Sequence, residues 1–253
     1  MPQPRRRMFV DIETSQMLVW VWSLNDPANQ YISHENIEQE AAIICVCWKW
    51  AKEKKVHSLA WDKKLDDKKL LQEFLPELEQ ATEVVAHNGD RFDIRWIRGR
   101  CLIHRIPMSP KLPTLDTLKN MRSKFKLPSY RLDYAGQKAT GEGKIRVGLG
   151  LWKAVQRGDP VALQKMIRYC KRDVVKLEQT YDWIAPYLEP ITSVATHPSH
   201  CPECNSDQYK HHKARTLKSG QITHQFRCRD CGRHWTVGHQ KLRKNKRFPS
   251  LDD

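Results

Sequence analysis

Hydrophobic positions along the chain follow two periods, and the changes of period mark the elements. Met8–Thr14 predicts a strand, Leu18–Leu24 (LVWVWSL) a second and Ala42–Trp50 (AIICVCWKW) a third, together an antiparallel three-stranded meander. Period two places Trp20 with Trp22, and Trp48 with Trp50, on common faces, read as core or cross-strand packing with base stacking as the lesser alternative. Leu65–Gln80 has Leu71, Phe74, Leu75 and Leu78 at helical spacing; Glu83–His87 reads as a short strand and Arg91–His104 as a helix. Pro107, Pro110 and Pro113 mark a loop, followed by helices near Leu115–Lys124 and from Tyr130. Five glycines between Gly136 and Gly150 predict a mobile connection. The longest pattern follows: Leu163, Met166, Ile167, Cys170, Val174, Leu177, Tyr181 and Ile184 form one apolar stripe, closed by Pro186 and Pro190. Thr192–His200 reads as a linker, and the tail Lys241–Arg247 is basic.

The length of 253 residues suits a domain over residues 1–192 and a small appendage over 196–253. Lys and Arg outnumber Asp and Glu by 44 to 29, a balance that favours a polyanionic partner. Residues 196–253 hold 12 basic against 5 acidic residues, a formal +7. No apolar run is long enough to span a membrane, and the run after Arg5–Arg7 breaks at Asp11 and Glu13, unlike a signal peptide. A reducing, cytoplasmic compartment is therefore expected, in which cysteines serve as metal ligands or core residues. Cys45, Cys47 and Cys101 sit in apolar settings and read as core. Cys45 and Cys47 share one face, but no second ligand pair accompanies them.

Three acidic strings carry candidate chemistry. In FVDIETS, Asp11 and Glu13 stand at i and i+2 of a strand and project from one face. Carboxylates there would be costly to bury unpaired, so divalent cations are one explanation and a strand-end turn with exposed acids the other. In VVAHNGDRFDIRW, Asn88 and Gly89 suit a turn, Asp90 an N-cap and Asp93 the first helical turn; a plain capping arrangement fits equally. In YCKRDVV, Tyr169 and Asp173 lie at i and i+4 beside the apolar stripe, where the polar margin of a helix is the plain reading.

In this order the strings resemble the three motifs of the DEDD exonuclease superfamily, in its tyrosine-bearing branch, which includes the proofreading domains of family B DNA polymerases. The matches are Asp11 and Glu13, then Asn88, Phe92 and Asp93, then Tyr169 and Asp173. The stretch from Leu127-Pro-Ser-Tyr130-Arg-Leu132 through Gly143-Lys144 is similar to the segment those domains carry there, and the resemblance covers about residues 8–188. It implies an α/β ribonuclease-H-like fold with a mixed five-stranded sheet flanked by helices. It also implies two Mg²⁺ or Mn²⁺ ions, with Asp11 bridging both, Glu13 and Asp173 completing the site of the attacking water, and Asp93 supporting the second ion largely through water. Tyr169 would orient that water, since a phenol with an ordinary pKa near 10 is a poor base at neutral pH. The expected activity is 3′–5′ hydrolysis of single-stranded DNA or frayed 3′ ends to nucleoside 5′-monophosphates, by a free-standing, monomeric nuclease. RNA as substrate, or structure-directed internal cutting, stays open. For substrate contacts the candidates are His87, Asn88, Lys138, Lys144 and Arg146; a hydrogen-bonded turn histidine and a solvated loop are the plainer readings of His87 and the basic residues. Asp116 reads as a helix cap or a supporting residue.

Cys201-Pro-Glu-Cys204 and Cys228-Arg-Asp-Cys231 are two knuckles whose spacing predicts a tetrahedral four-cysteine Zn²⁺ site, with Asn205 and Gly232 suited to the positive φ that follows each knuckle. So small a unit buries little core, so the metal would supply much of its folding energy. The pattern is similar to the zinc ribbons of transcription and transposition proteins. Its basic sequence, with Tyr209, Phe226 and Trp235, suits nucleic acid. A protein partner, and an adaptor role through the ribbon alone, are the alternatives.

Overall fold

The computed structural model describes residues 5–23, 32–141, 147–197 and 199–243. Lys144, Arg146 and the end of the basic tail lie outside the described residues. Strand β1 (Arg7–Thr14) is followed by a small hairpin of β2 (Leu18–Val19) and β3 (Ile37–Gln39), and the chain returns as β4 (Ile43–Trp50) and β5 (His57–Ala60). Then come α1 (Lys68–Glu79), β6 (Glu83–Ala86), α2 (Asp93–Ile103), β7 (Thr114–Asp116), α3 (Thr117–Lys124), α4 (Leu132–Thr140), α5 (Leu149–Gln156) and α6 (Pro160–Ile184). The main sheet has the order β5-β4-β1-β6-β7. β4 runs antiparallel to β1 and β5, whereas β6 runs parallel to β1 and β7, which gives the expected mixed five-stranded sheet.

Each face of the sheet has its own core. Met8, Val10 and Ile12 of β1 join Leu71, Phe74 and Ile97 of α1 and α2. Phe9 faces the other way, into a cluster built on Met166, Cys170, Val174, Leu177 and Tyr181 of α6. The predicted stripe is thus the buried face of α6, whose N-terminus is fixed by Pro160 in its first turn and by Asp159 accepting from the N–H groups of Val161 and Ala162.

The predicted meander needs correction. Its third strand is β5: of the Leu18–Leu24 run, Leu18 and Val19 pair with β3 in a separate two-stranded sheet, and none of its described residues joins the main sheet. Trp20 is 69 % and Trp22 99 % exposed, so this pair is not core, while Trp48 and Trp50 are buried as expected. Of the glycine-rich stretch, residues 142–146 lie outside the described residues; at its ends Gly136 lies buried inside α4 against Lys176, and Gly150 lies inside α5.

Residues 199–243 contain a three-stranded antiparallel sheet of β8 (Tyr209–Thr216), β9 (Ile222–Cys228) and β10 (His234–Gly238), then α7 (His239–Arg243). Its core is small: Cys201, Phe226, Cys228, Trp235, Val237 and Leu242. Asn205 and Gly232 adopt φ of 63° and 72°, the left-handed conformation expected after each knuckle. The ribbon is fastened to the main sheet by buried charges. Arg7 bonds Glu83 at 2.6 Å and Glu203 at 3.2 Å, and Arg233 donates to the carbonyls of Ala185 and Leu188 beyond the end of α6. Among the described residues, no helix is long and apolar enough to cross a membrane.

Candidate active site

Strand alternation decides where the first two acids point. With Met8, Val10 and Ile12 committed to the α1–α2 core, Asp11 and Glu13 continue the Phe9 side, toward α6. There they meet Asp173: the carboxylate oxygens of Asp11, Glu13 and Asp173 lie within 4.8 Å of one another. Asp93 opens α2 and is 3 % exposed, with one oxygen accepting from the N–H of Ile12 at 3.1 Å. It stands beside Asp11 but outside the group of three.

Burial raises the pKa of Asp11 well above the usual carboxylate range, and the charges of Asp93, Glu13 and Asp173 raise it further. Burial lifts Asp93 to about 7, opposed by its own N–H and that of Ile12. Such a cluster holds protons or cations, because its charges repel one another at short range. Its donors are hard carboxylate oxygens, the set preferred by Mg²⁺ and Mn²⁺, so the residues fit the expected ions. The Tyr169 hydroxyl hydrogen-bonds Asp173. Burial first, then the Asp173 charge and hydrogen bond, raise its pKa, so the phenol stays protonated. Its ring meets Trp152 edge-on at 6.2 Å.

The turn between β6 and α2 is held by Asp116, which ends β7 and caps α3. Its carboxylate accepts from the N–H groups of Asn88 at 3.0 Å, Asp90 at 3.3 Å and Lys119 at 3.1 Å. The expectation of a cap is met, with a supporting role added. Asp90 is not the N-cap of α2, a position held by Phe92; its carboxylate instead accepts from the Thr114 hydroxyl at 2.6 Å. Asn88 has φ of 66°, and a Cβ on Gly89 would sit 2.3 Å from that of Ala86, so only glycine fits the approach. His87 bonds the Thr117 hydroxyl at 2.9 Å, and burial lowers its pKa to about 4. It is a neutral, hydrogen-bonded turn histidine.

A cleft of about 780 Å³ opens beside Tyr169, lined among others by His87, Asn88, Arg122, Arg131 and Trp152. A second, of about 330 Å³, flanks Tyr169 and Asp173 with Lys165, Arg168 and Arg172. Lys138 is not brought to either cleft and rests 5.6 Å over the ring of Tyr134. Sequence reasoning missed Arg122, Arg131, Arg168 and Arg172. Arg131 lies in the Leu127–Leu132 string that carried a resemblance, and Arg168 and Arg172 each adjoin a motif residue on α6, at one helical turn. Arg122 carried no signal, because a basic residue on a short helix is ordinary.

Behind the acids, Cys45 and Cys47 of β4 stand opposite Glu13 and Asp11 and meet Cys170 of α6 in the core. The Cys170 thiol donates to the backbone carbonyl of Asp11 at 3.4 Å. In the ribbon, the sulfurs of Cys201, Cys204, Cys228 and Cys231 also lie within 4.8 Å of one another. The Cys201–Cys231 and Cys204–Cys228 separations are both 3.6 Å, near the roughly 3.8 Å set by tetrahedral Zn–S bonds of about 2.3 Å. The four thiols fit one zinc ion.

A family model described as RNase_H superfamily matches residues 32–185, a range that omits β1 with Asp11 and Glu13. No curated protein matches the sequence significantly. Among solved structures, the chain is similar to the family B DNA polymerase of the hyperthermophilic archaeon Pyrobaculum calidifontis, with a TM-score of 0.54 and 16 % identity. That likeness covers 74 % of this chain, which spans only 25 % of the polymerase. At this identity it concerns the fold alone.

Proposed function

The chain belongs to the RNase_H superfamily, and from that membership we propose that it is a metal-dependent 3′–5′ exonuclease acting on single-stranded DNA or frayed 3′ ends. One observation carries the reading: Asp11, Glu13 and Asp173 converge within 4.8 Å, with the Tyr169 hydroxyl bonded to Asp173. Such a constellation suits a metal-dependent nuclease, and the motif order in the sequence supports the roles proposed for its members.

Asp11, at the centre of the cluster, would hold both ions; Glu13 and Asp173 would complete the position of the attacking water. Asp93, fixed on the Ile12 N–H, would support the second ion through water. Bound divalent ions supply charge neutralisation at the attacking and leaving oxygens. Tyr169, kept protonated and donating to Asp173, would accept a hydrogen bond from the water and orient it rather than take its proton. Arg122 and Arg131 would contact substrate phosphates in the cleft beside it.

Direction is the test. A 5′-labelled strand with Mg²⁺ should shorten as a ladder, and a blocked 3′ terminus should protect it. Early cuts in a closed circular single strand would instead mean an endonuclease, and preference for RNA would change the substrate class.

A further inference from the structure

Beyond the acidic cleft, a groove of about 780 Å³ lies between the ribbon and α3. One wall is the outer face of the ribbon sheet. Phe226 and Trp235 turn inward to the small core, so strand alternation sends Arg227 and its neighbour His234 outward. Lys213 and Arg215 of β8 lie alongside and are exposed, and the irregular register at His211/Lys213 brings His212 to within 5.2 Å of the His234 ring. The other wall carries Lys124, at the end of α3.

The lining is predominantly basic, with Lys124, Lys213, Arg215 and Arg227 against Glu189. Among the described residues, no carboxylate forms an ion pair with Lys124, Lys213, Arg215 or Arg227. The one acid in the lining, Glu189, is engaged by the Thr236 hydroxyl at 3.0 Å. His234 registers the field: burial lowers its pKa, and His212, Arg227, Lys213 and Lys210 lower it further. At the groove's edge Tyr187 is 68 % exposed, its ring held edge-on by Phe125 at 5.4 Å. Basic walls with an exposed, braced aromatic suit a polyphosphate chain whose bases stack.

The groove and the acidic cleft share α3 as a wall, on opposite flanks of that helix. Leu118 and Arg122 of α3 line the cleft beside Tyr169, and Asn120 and Lys124 of the same helix line the groove. A helix with its side chains is about 10–12 Å across, so one strand reaches both by crossing the exposed side of α3 at Lys119 and Ser123. We propose that this groove is an accessory nucleic-acid site, which binds the 5′ side of a single strand whose 3′ end lies in the acidic cleft. The direction of threading rests on the proposed exonuclease reading; the binding of a single strand does not.

The groove predicts a dependence on strand length. An oligonucleotide of about 16 residues reaches from cleft to groove, and one of about four occupies the cleft alone. The experiment uses the full chain with its zinc, and Ca²⁺ in place of Mg²⁺ so that binding is read without cutting. Fluorescence anisotropy of 5′-labelled oligothymidylates of both lengths would compare wild type, Lys213→Glu with Arg227→Glu, and Lys124→Glu on the opposite wall. Each variant should bind the long strand about tenfold more weakly and bind the short one as wild type does. The salt dependence for the long strand should flatten by about 0.7 in log–log slope for each phosphate no longer neutralised. In Mg²⁺, the long substrate should show a raised KM with unchanged kcat. Unchanged affinity and slope for the long strand in both variants would overturn the proposal and leave the groove to a protein partner. Equal weakening for both lengths would overturn it too, since the groove would not be separate from the cleft. Length-dependent binding without any hydrolysis would keep the groove and sink the exonuclease reading.

Discussion

The guanidinium of Arg233 donates to the hydroxyl of Tyr181 at 2.6 Å, joining the second zinc knuckle to the last turn of α6. Glu203, between the two cysteines of the first knuckle, bonds Arg5 at 2.7 Å and Arg7 at 3.2 Å from the other side. Both knuckles therefore place a charged side chain in the base of the main sheet, and a zinc ion that ordered them would order that junction. Arg233→Ala should destabilise the whole chain by about 3 kcal/mol, because it strands two carbonyls and a buried phenol. Zinc removal by a thiol-reactive chelator should lower the melting temperature of the main transition, not merely unfold the ribbon. Calorimetry showing the ribbon melting alone would refute this coupling.

At the β6–α2 turn, Gly89→Ala should be disproportionately harmful, since its Cβ would meet Ala86 at 2.3 Å. The turn must move, and with it the start of α2 that carries Asp93. A stability loss of about 1–3 kcal/mol is expected, with at least a tenfold fall in turnover. Urea denaturation and steady-state kinetics would check both; wild-type values would mean the turn gives way freely.

Tyr169→Phe should reduce kcat by about a hundredfold with little change in KM, because the hydroxyl that orients the water is lost while the carboxylates remain. Since burial and Asp173 hold the phenol protonated, the wild-type pH–rate profile should show no limb from tyrosine ionisation below about pH 10. A limb near neutrality that vanishes in the variant would make Tyr169 the base.

The site's acids also set its pH dependence. Asp93, lifted from 3.8 to about 7, is stabilising to the metal-free fold while protonated. That contribution is full below about pH 4 and is lost as pH rises through 7, so the metal-free protein should weaken over this window. Divalent ions compete with those protons, so Mn²⁺ affinity should fall below pH 7 and binding should release protons. Calorimetric titrations at pH 6 and pH 8, in buffers of different ionisation enthalpy, would measure both. Affinity independent of pH would show that the carboxyls are already ionised.

What the sequence disclosed follows from how local each signal was. Met8–Thr14 and the α6 stripe were legible because alternation and helical spacing are set by burial on one face. The same rule misled at Leu18–Leu24, where a β-rich string has no core to face and Trp22 points to solvent. β7 has three residues and runs straight into α3, so Asp116 serves as strand end and helix cap, and the strand passed for the start of the helix. The convergence of Asp11, Glu13 and Asp173, and of the four ribbon cysteines, was readable because a shared metal ion would restrict residue type and spacing. Cys170 beside Cys45 and Cys47, the Arg233–Tyr181 bond and the groove at Lys124 depend on long-range packing, which no local pattern encodes.

The most direct measurement compares wild type with Asp11→Asn on a 5′-labelled single strand in Mg²⁺. This variant keeps the shape of the side chain while removing the charge at the centre of the carboxylate group. Wild type should produce a metal-dependent ladder from the 3′ end. Asp11→Asn should lose at least a thousandfold in rate while melting at or above the wild-type temperature, since a carboxylate repelled by Asp93, Glu13 and Asp173 has been removed. Wild-type turnover in the variant, or unchanged cleavage by the wild type without divalent ions, would contradict the account.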